Sequence, residues 1–257
     1  MANNNISIKT INDLIKSNFF IPSYQRGYRW TEQQVTDLLN DINEFSPKEI
    51  PNTNEKTWYC LQPIVVKQKD ENEWDVIDGQ QRLTTCVILI EALIECLRSY
   101  HPGKPDSEIT FNSQFLSKIV ERFLYETTPN GAMTTYKFGY ENKNPSFDYF
   151  KHHILLAPGA GTVKETFYTL NLGNAKTYFL EQLQALAGTE RNIAPLEEIY
   201  RKLTTRFQFN PYEIPSDFDE FVAFETMNNR GKSLSNLELL KNRLIYLVSL
   251  YSDKEAS

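Results

Sequence analysis

A chain of 257 residues with 40% apolar and 13% aromatic content can bury a substantial core, as one large domain or two modest ones. A net charge of −6 excludes a protein whose whole surface coats nucleic acid, though not one with a local basic face. Three cysteines, Cys60, Cys86 and Cys96, form no CxxC pair, which points to reduced thiols in a cytoplasmic protein rather than a disulfide framework.

The start, "MANNNISIKT", has neither a basic nor an apolar leader region, so no signal peptide is expected. Ile6 to Thr10 alternates like a short strand, and Ile11 to Ile15 reads as a helical turn. An extended, proline-containing segment follows to Trp30. Thr31 and Gln34 then stand as a capping box, with Trp30 and Val35 at the staple positions. Val35, Leu38, Leu39, Ile42 and Phe45 recur at helical spacing and predict a helix from about Glu32 to Phe45. "WYCLQPIVVKQ" and "EWDVI", split by "KDEN", predict a β-hairpin. Gln80 to Ser99 reads as a long helix, with Leu83, Val87, Ile90, Ile94 and Leu97 on one face. Cys86, Leu89 and Leu93 widen that face, so the helix is expected to be mostly buried. Its apolar run is broken by Glu91 and Glu95 and is too short and charged to cross a bilayer.

"YHPGKPDSE" is a break, and a division into residues 1–100 and 101–257 is expected there. Beyond it, "FNSQFLSKIVERFLYE" reads as helix and "TTPNGAMTTYKFGYENKNPSFD" as a loop or irregular hairpin. "AKTYFLEQLQALAG" and "PLEEIYRKLTTRF" read as helical or mixed. A last helix is announced by a second capping box, Ser235 with Glu238. The fold class expected is α+β, an α/β N-terminal part followed by a mostly helical one.

Three segments carry chemistry. "DGQQR" places Asp78, Gly79, Gln80, Gln81 and Arg82 between a β-run and a long helix. Amides at a helix N-terminus attract anions, glycine lets a ligand approach the backbone, and arginine offers a fork of donors to phosphate. "IPSYQRGYRW" sets Tyr24, Arg26, Tyr28, Arg29 and Trp30 close together with no acid among them, a kit for phosphates and stacked bases. "FETMNNRGKSLSNLELLKNR" presents Asn228, Arg230, Gly231 and Lys232 in a polar turn before a helix. Taken singly, each is as readily structural: a capped helix start, an aromatic strand edge, a surface loop. Two other matches fail. "HHILLAP" has the wrong spacing for an HNH nuclease, and no histidine follows His153. "GAGTVKET" lacks the Gly-Lys pair of a P-loop.

In this order, "IPSYQRGYRW", "VIDGQQRLTT" and "FETMNNRGKSLSNLELLKNRL" resemble the N-terminal domain of GmrSD-type, modification-dependent restriction endonucleases. The resemblance implies a ParB/sulfiredoxin-like α/β module followed by a helical subdomain. It implies Mg²⁺-dependent binding and hydrolysis of a nucleoside triphosphate (GTP, ATP or CTP) in the service of sensing modified phage DNA. Cutting is assigned in the family to a C-terminal HNH nuclease domain, which these residues do not contain, so an HNH domain or subunit is an expected partner and a homodimer a further one.

On that reading Asp78, Gln81 and Arg82 are catalytic, with Asp78 on Mg²⁺ and Gln81 orienting water. Gln25, Arg26, Tyr28, Gly79, Gln80, Asn228, Arg230, Gly231 and Lys232 bind nucleotide, and Tyr24, Arg29 and Trp30 contact DNA. The alternative is a non-hydrolytic DNA-modification reader or nucleotide-switched DNA-binding module. No membrane contact is expected.

Overall fold

The computed structural model describes residues 8–159 and 165–215, and a six-stranded sheet organises them. The alternating start becomes β1 (Lys9–Thr10) and the apolar turn becomes α1 (Ile11–Leu14), capped by the Thr10 hydroxyl, which accepts from the Asp13 amide. β2 (Asn18–Ile21) leads into the arginine-aromatic segment. α2 (Glu32–Glu44) begins where the capping pair predicts: the Gln34 side chain accepts the Thr31 N–H at 2.9 Å, and Val35, Leu38, Leu39 and Ile42 turn inward. β3 (Tyr59–Asp70) and β4 (Glu73–Asp78) form the expected hairpin around Glu71 and Asn72, and α3 (Gln80–Tyr100) follows β4 after one residue, Gly79.

The helix expected over Phe111 to Glu126 starts later. Asn112 and Ser113 take left-handed φ values of 47° and 61°, which reverse the chain between β5 (Thr110–Phe111) and β6 (Gln114–Phe115). Only then does α4 (Leu116–Phe123) begin. The irregular hairpin is real: β7 (Tyr125–Thr127) pairs with β8 (Thr134–Tyr136). β9 (Phe138–Tyr140), α5 (Phe147–Tyr149) with a π-helical turn over Phe150–Ile154, α6 (Phe167–Ala187), α7 (Ala194–Thr205) and β10 (Phe207–Glu213) complete the described residues.

The sheet runs β1-β10-β3-β4-β2-β9. β10 is parallel to β3, and β2 is parallel to both β4 and β9, while β3–β4 and β1–β10 are antiparallel. The architecture is α+β, as expected. The break at 100–108 is a loop ending in a single 3₁₀ turn, Asp106–Glu108. Strands from both sides of it, β9 and β10 included, join this sheet, and one apolar cluster runs from Ile11 to Phe209. Among the described residues no helix is long and apolar enough to cross a membrane.

α3 is the axis of the core. Every residue from Leu83 to Ile94 is buried, so this helix has no solvent face over three turns. That includes Glu91, which the sequence pattern left as an interruption. α6 packs along α3 and supplies the answering cation: Lys176 Nζ lies 2.9 Å from Glu91 and 2.7 Å from Glu95, and donates to the carbonyl of Ile154 at 2.7 Å. A buried carboxylate needs such a partner, because desolvation otherwise forces it neutral.

Candidate functional site

The site forms where β4 ends and α3 begins. Gly79 makes the turn with φ +84°, a left-handed conformation that side chains rarely adopt. A Cβ there would also stand 2.6 Å from Ile64 Cγ2. Gly79→Ala is therefore expected to cost about 1–3 kcal/mol of stability, measurable by urea unfolding; an unchanged midpoint would show that the turn relaxes freely. Asp78 does not cap the helix. Gly79 holds the N-cap position and no side-chain cap bond is made, so the first amides of a 21-residue helix remain for a ligand.

The segment after β2 is laid across this helix end by a set of specific bonds. Gln25, buried, donates its amide to the carbonyls of Val76 (2.6 Å) and Ile77 (3.1 Å) at the end of β4. Tyr28 is fully buried, its hydroxyl 2.7 Å from Thr85 Oγ1, and burial pushes the phenol well above its ordinary pKa. Gln81 brackets the segment from the other side, accepting the Arg29 N–H at 2.7 Å and donating to the Gly27 carbonyl at 3.2 Å. α6 closes over the loop: Asn171 Nδ2 donates to the Tyr28 carbonyl at 3.4 Å, and Tyr168 fills the space a Cβ on Gly27 would need.

These bonds give several of the expected site residues structural work. Gln25, Gln81 and Tyr28 are struts that position the loop. Both ends of the Gln81 amide are engaged by backbone, one bond at each end. Tyr24 and Arg29 line neither of the two clefts described below; their side chains are half-buried and engaged within the protein.

What the struts hold in place is a cleft of about 160 Å³ lined by Arg26, Trp30, Asp78, Gly79, Gln80, Gln81 and Arg82. Two of the three sequence motifs thus meet in one cavity, whose lining includes two arginines and one aspartate. Gln80 is 95% buried by its 5% exposure, and its Oε1 has no hydrogen-bond partner among the described residues. A buried, unbonded amide oxygen costs about 1–3 kcal/mol unless something supplies a donor or a metal; Gln80 carries one among the residues that line the cleft, and Gln25 carries another in the strut beside it.

Arg82 leans out of this cleft toward β3, its Nη1 3.4 Å from the Leu61 carbonyl. Burial lowers its guanidinium pKa, and the charge of Asp78 works in the opposite direction. Both Arg82 and Trp30 also line a second cleft of about 310 Å³, between α2 and β3. That second cleft went unpredicted. Its signal was present in Pro63, which cannot donate to a ladder and so marks a bulge within the β-run. Leu61 and Gln62 are squeezed out of register against β10 there, and Gln62 takes φ +65°.

Of the third motif, Asn228, Arg230, Gly231 and Lys232 lie outside the described residues, as does the Ser235–Glu238 capping box. His152 and His153 serve structure: one ring nitrogen lies 3.1 Å from the Ala157 carbonyl, the other ring stacks on Tyr149. Among the described residues no three His, Cys, Asp or Glu side chains gather to hold a metal by themselves.

With this geometry in place, comparison with known families is decisive. The family model of the GmrSD restriction endonuclease N-terminal domain matches residues 8–245. The chain belongs to this family. No curated protein matches it. The matched span of this GmrSD N-terminal domain includes all three motifs, Tyr24–Trp30, Asp78–Arg82 and Asn228–Lys232. Membership places the chain among restriction endonuclease components; the chemistry of its cleft is a separate question.

Proposed function

We propose that this GmrSD N-terminal domain binds and hydrolyses a nucleoside triphosphate with Mg²⁺, as the nucleotide-dependent module of a restriction system that acts on modified phage DNA together with an HNH nuclease domain or subunit. The observation that carries this reading is the cleft itself: two arginines beside an uncapped helix N-terminus, with the buried Gln80 oxygen lacking a partner.

The donor set suits a metal carried in by its substrate. Mg²⁺ in nucleotide sites takes one or two protein oxygens and completes its shell with phosphates and water. Asp78 and Gln80 line the cleft, and each carries a side-chain oxygen. When bound, the metal supplies charge neutralisation across the phosphate oxygens. Asp78 and Gln80 would hold it.

Phosphoryl transfer asks mainly for positioning and for compensation of equatorial charge. The amides at Gln80 and Gln81 and the forks of Arg26 and Arg82 point that compensation at the terminal phosphate. Water attacks the γ-phosphorus, the bond to the bridging oxygen breaks, and the diphosphate departs with that electron pair. Gln81, Gln25 and Tyr28 act one step back, by keeping Arg26 and Trp30 in register with Arg82.

The test is binding of GTP, ATP and CTP to the purified chain, with phosphate release in Mg²⁺ and in EDTA. Release above a protein-free blank, lost with EDTA and lost in Asp78→Ala, is expected. Binding without release would make the module a nucleotide switch. Neither binding nor release would overturn the reading.

A further inference from the structure

The leading amides of α3 sit on peptide groups that the protein holds from behind. The Leu83 N–H is the first to find a helical acceptor, the Gly79 carbonyl at 3.2 Å, so the amides of Gln80, Gln81 and Arg82 stand ahead of the helical ladder. The Gln81 and Arg82 N–H groups share their peptide units with the carbonyls of Gln80 and Gln81. Each of those carbonyls accepts a side-chain hydroxyl besides its helical amide. Thr84 Oγ1 donates to the Gln80 carbonyl at 2.7 Å, and Thr85 Oγ1 to the Gln81 carbonyl at 2.8 Å.

A carbonyl can only accept, so the hydroxyl hydrogens of both threonines are committed, and each threonine oxygen is left to accept from a neighbour. A tyrosine answers in both cases. The Tyr28 hydroxyl lies 2.7 Å from Thr85 Oγ1, and Tyr140, on β9, bonds the Thr84 side chain. Burial raises both phenols well above their ordinary range, so each stays a donor. All four side chains are buried. Two parallel chains result, Tyr140 to Thr84 to Gln80 and Tyr28 to Thr85 to Gln81, each ending on a peptide group at the helix start.

Packing alone would favour valine at both positions. They lie in the stretch where α3 has no solvent face, and valine fills nearly the same space with no hydroxyl to desolvate. A hydroxyl returned to the carbonyl four residues back slightly destabilises a helix. What it adds is polarisation. Hydrogen bonds in series strengthen one another by about 10–30% each, so a donor on a carbonyl makes the N–H across the same peptide bond a better donor.

We infer that Thr84 and Thr85, with Tyr140 and Tyr28 behind them, are positioning residues that fix and polarise the Gln81 and Arg82 amides for an anion. The inference rests on the nucleotide reading above and adds what prepares the helix start for phosphate. None of the four side chains lines the cleft, so their action passes through the backbone.

The Tyr140–Thr84 chain gives the cleaner test, because Tyr28 also braces the loop that carries Arg26 and Trp30. The double variant Thr84→Val/Tyr140→Phe removes both partners together, strands no buried hydroxyl and should be nearly neutral for stability. Thr84→Ser does the reverse: it loses a methyl group and keeps the hydroxyl. The measurements are the dissociation constants of inorganic tripolyphosphate and of ATP, GTP and CTP, the melting temperature, and the Gln81 amide proton shift in ligand-free protein. The double variant should melt close to wild type, bind tripolyphosphate about three- to tenfold more weakly, and show the Gln81 amide proton moved upfield. Thr84→Ser should melt lower and bind as wild type does. Where the double variant does not fold, Thr84→Ala against Thr84→Ser asks the same question, with weaker binding expected of alanine alone. Wild-type affinity or an unmoved Gln81 amide in the folded double variant overturns the inference and leaves the triphosphate site standing. Affinity that follows melting temperature rather than the hydroxyl across these variants assigns the threonines to stability and overturns it too. Wild-type protein that binds neither tripolyphosphate nor nucleotide overturns the nucleotide reading and the inference together.

Discussion

Arg82→Ala is expected to lower kcat/KM for nucleoside triphosphate hydrolysis by about 10²–10³, the loss typical of removing one preorganised donor from a developing anion. Three features of the position set that size. The side chain lines both clefts, so it borders the proposed phosphate cleft and its larger neighbour at once. It is partly buried, which makes its charge act through less water than a surface arginine's. Its anchor is weak, a single 3.4 Å contact with the Leu61 carbonyl, so the guanidinium keeps donors for a ligand. Arg82→Lys should recover little, because an ammonium cannot reproduce a planar fork. Initial-rate phosphate release across substrate concentration separates kcat from KM. Equal kcat/KM in wild type and both variants would remove Arg82 from the chemistry.

Gln81→Ala provides the contrast between a ligand contact and a strut. Its bonds run to the Arg29 amide and the Gly27 carbonyl, so its loss should loosen the loop that carries Arg26 and Trp30. The expected result is a lower melting temperature together with a weaker nucleotide affinity. A fall in kcat alone, at unchanged stability and affinity, would instead restore Gln81 to the reacting water.

The elements with local signals were legible in the sequence. α2 was readable from a capping pair and five apolar residues at helical spacing, and the β3–β4 hairpin from alternating runs around a polar turn. The site was legible in outline, since Asp78 to Arg82 and Arg26 to Trp30 do share a cleft. Which side chains face a ligand was not. Glutamine at 25, 80 and 81 looks alike in a sequence, yet Gln81 engages backbone with both ends of its amide, Gln25 with its nitrogen, and Gln80 leaves its oxygen buried without a partner among the described residues. That outcome depends on the path of a loop held by Tyr168 and Asn171, more than a hundred positions away, which no local pattern encodes. Likewise Asp37 and Asp41 read as ordinary solvent-side residues of α2, and only the bulge at Leu61 and Gln62 opens a cleft beside them.

The largest effect on stability is expected from Lys176→Met, and it should depend on pH. Glu91 is fully buried in α3 and has Lys176 at 2.9 Å and Arg98 at 3.8 Å; Glu95 shares the lysine, and Arg98 is itself held by Asp106 at 2.7 Å. Burial pushes the Glu91 carboxyl up to about 7, while Lys176 pulls it back down. A carboxyl whose pKa is higher folded than unfolded binds its proton more tightly in the native state, so its contribution to stability is full at acid pH and falls as pH rises through about 7. In wild type the lysine offsets that fall. Without it, Glu91 must either stay protonated against the solvent pH or ionise with only the more distant Arg98, at 3.8 Å and already engaged by Asp106, as its cation. At pH 8 the loss should reach about 3–5 kcal/mol, the range for breaking a buried pair from one side. Near pH 5.5, where the carboxyl is neutral in both proteins, the loss should be clearly smaller. Adding Glu91→Gln to the variant should recover much of the pH 8 deficit, because the stranded charge is then gone. Urea unfolding of the three proteins at both pH values decides it: a Lys176→Met deficit of one size at both pH values would place the cost in lost packing and lost carbonyl bonds to His153 and Ile154 rather than in the Glu91 carboxylate.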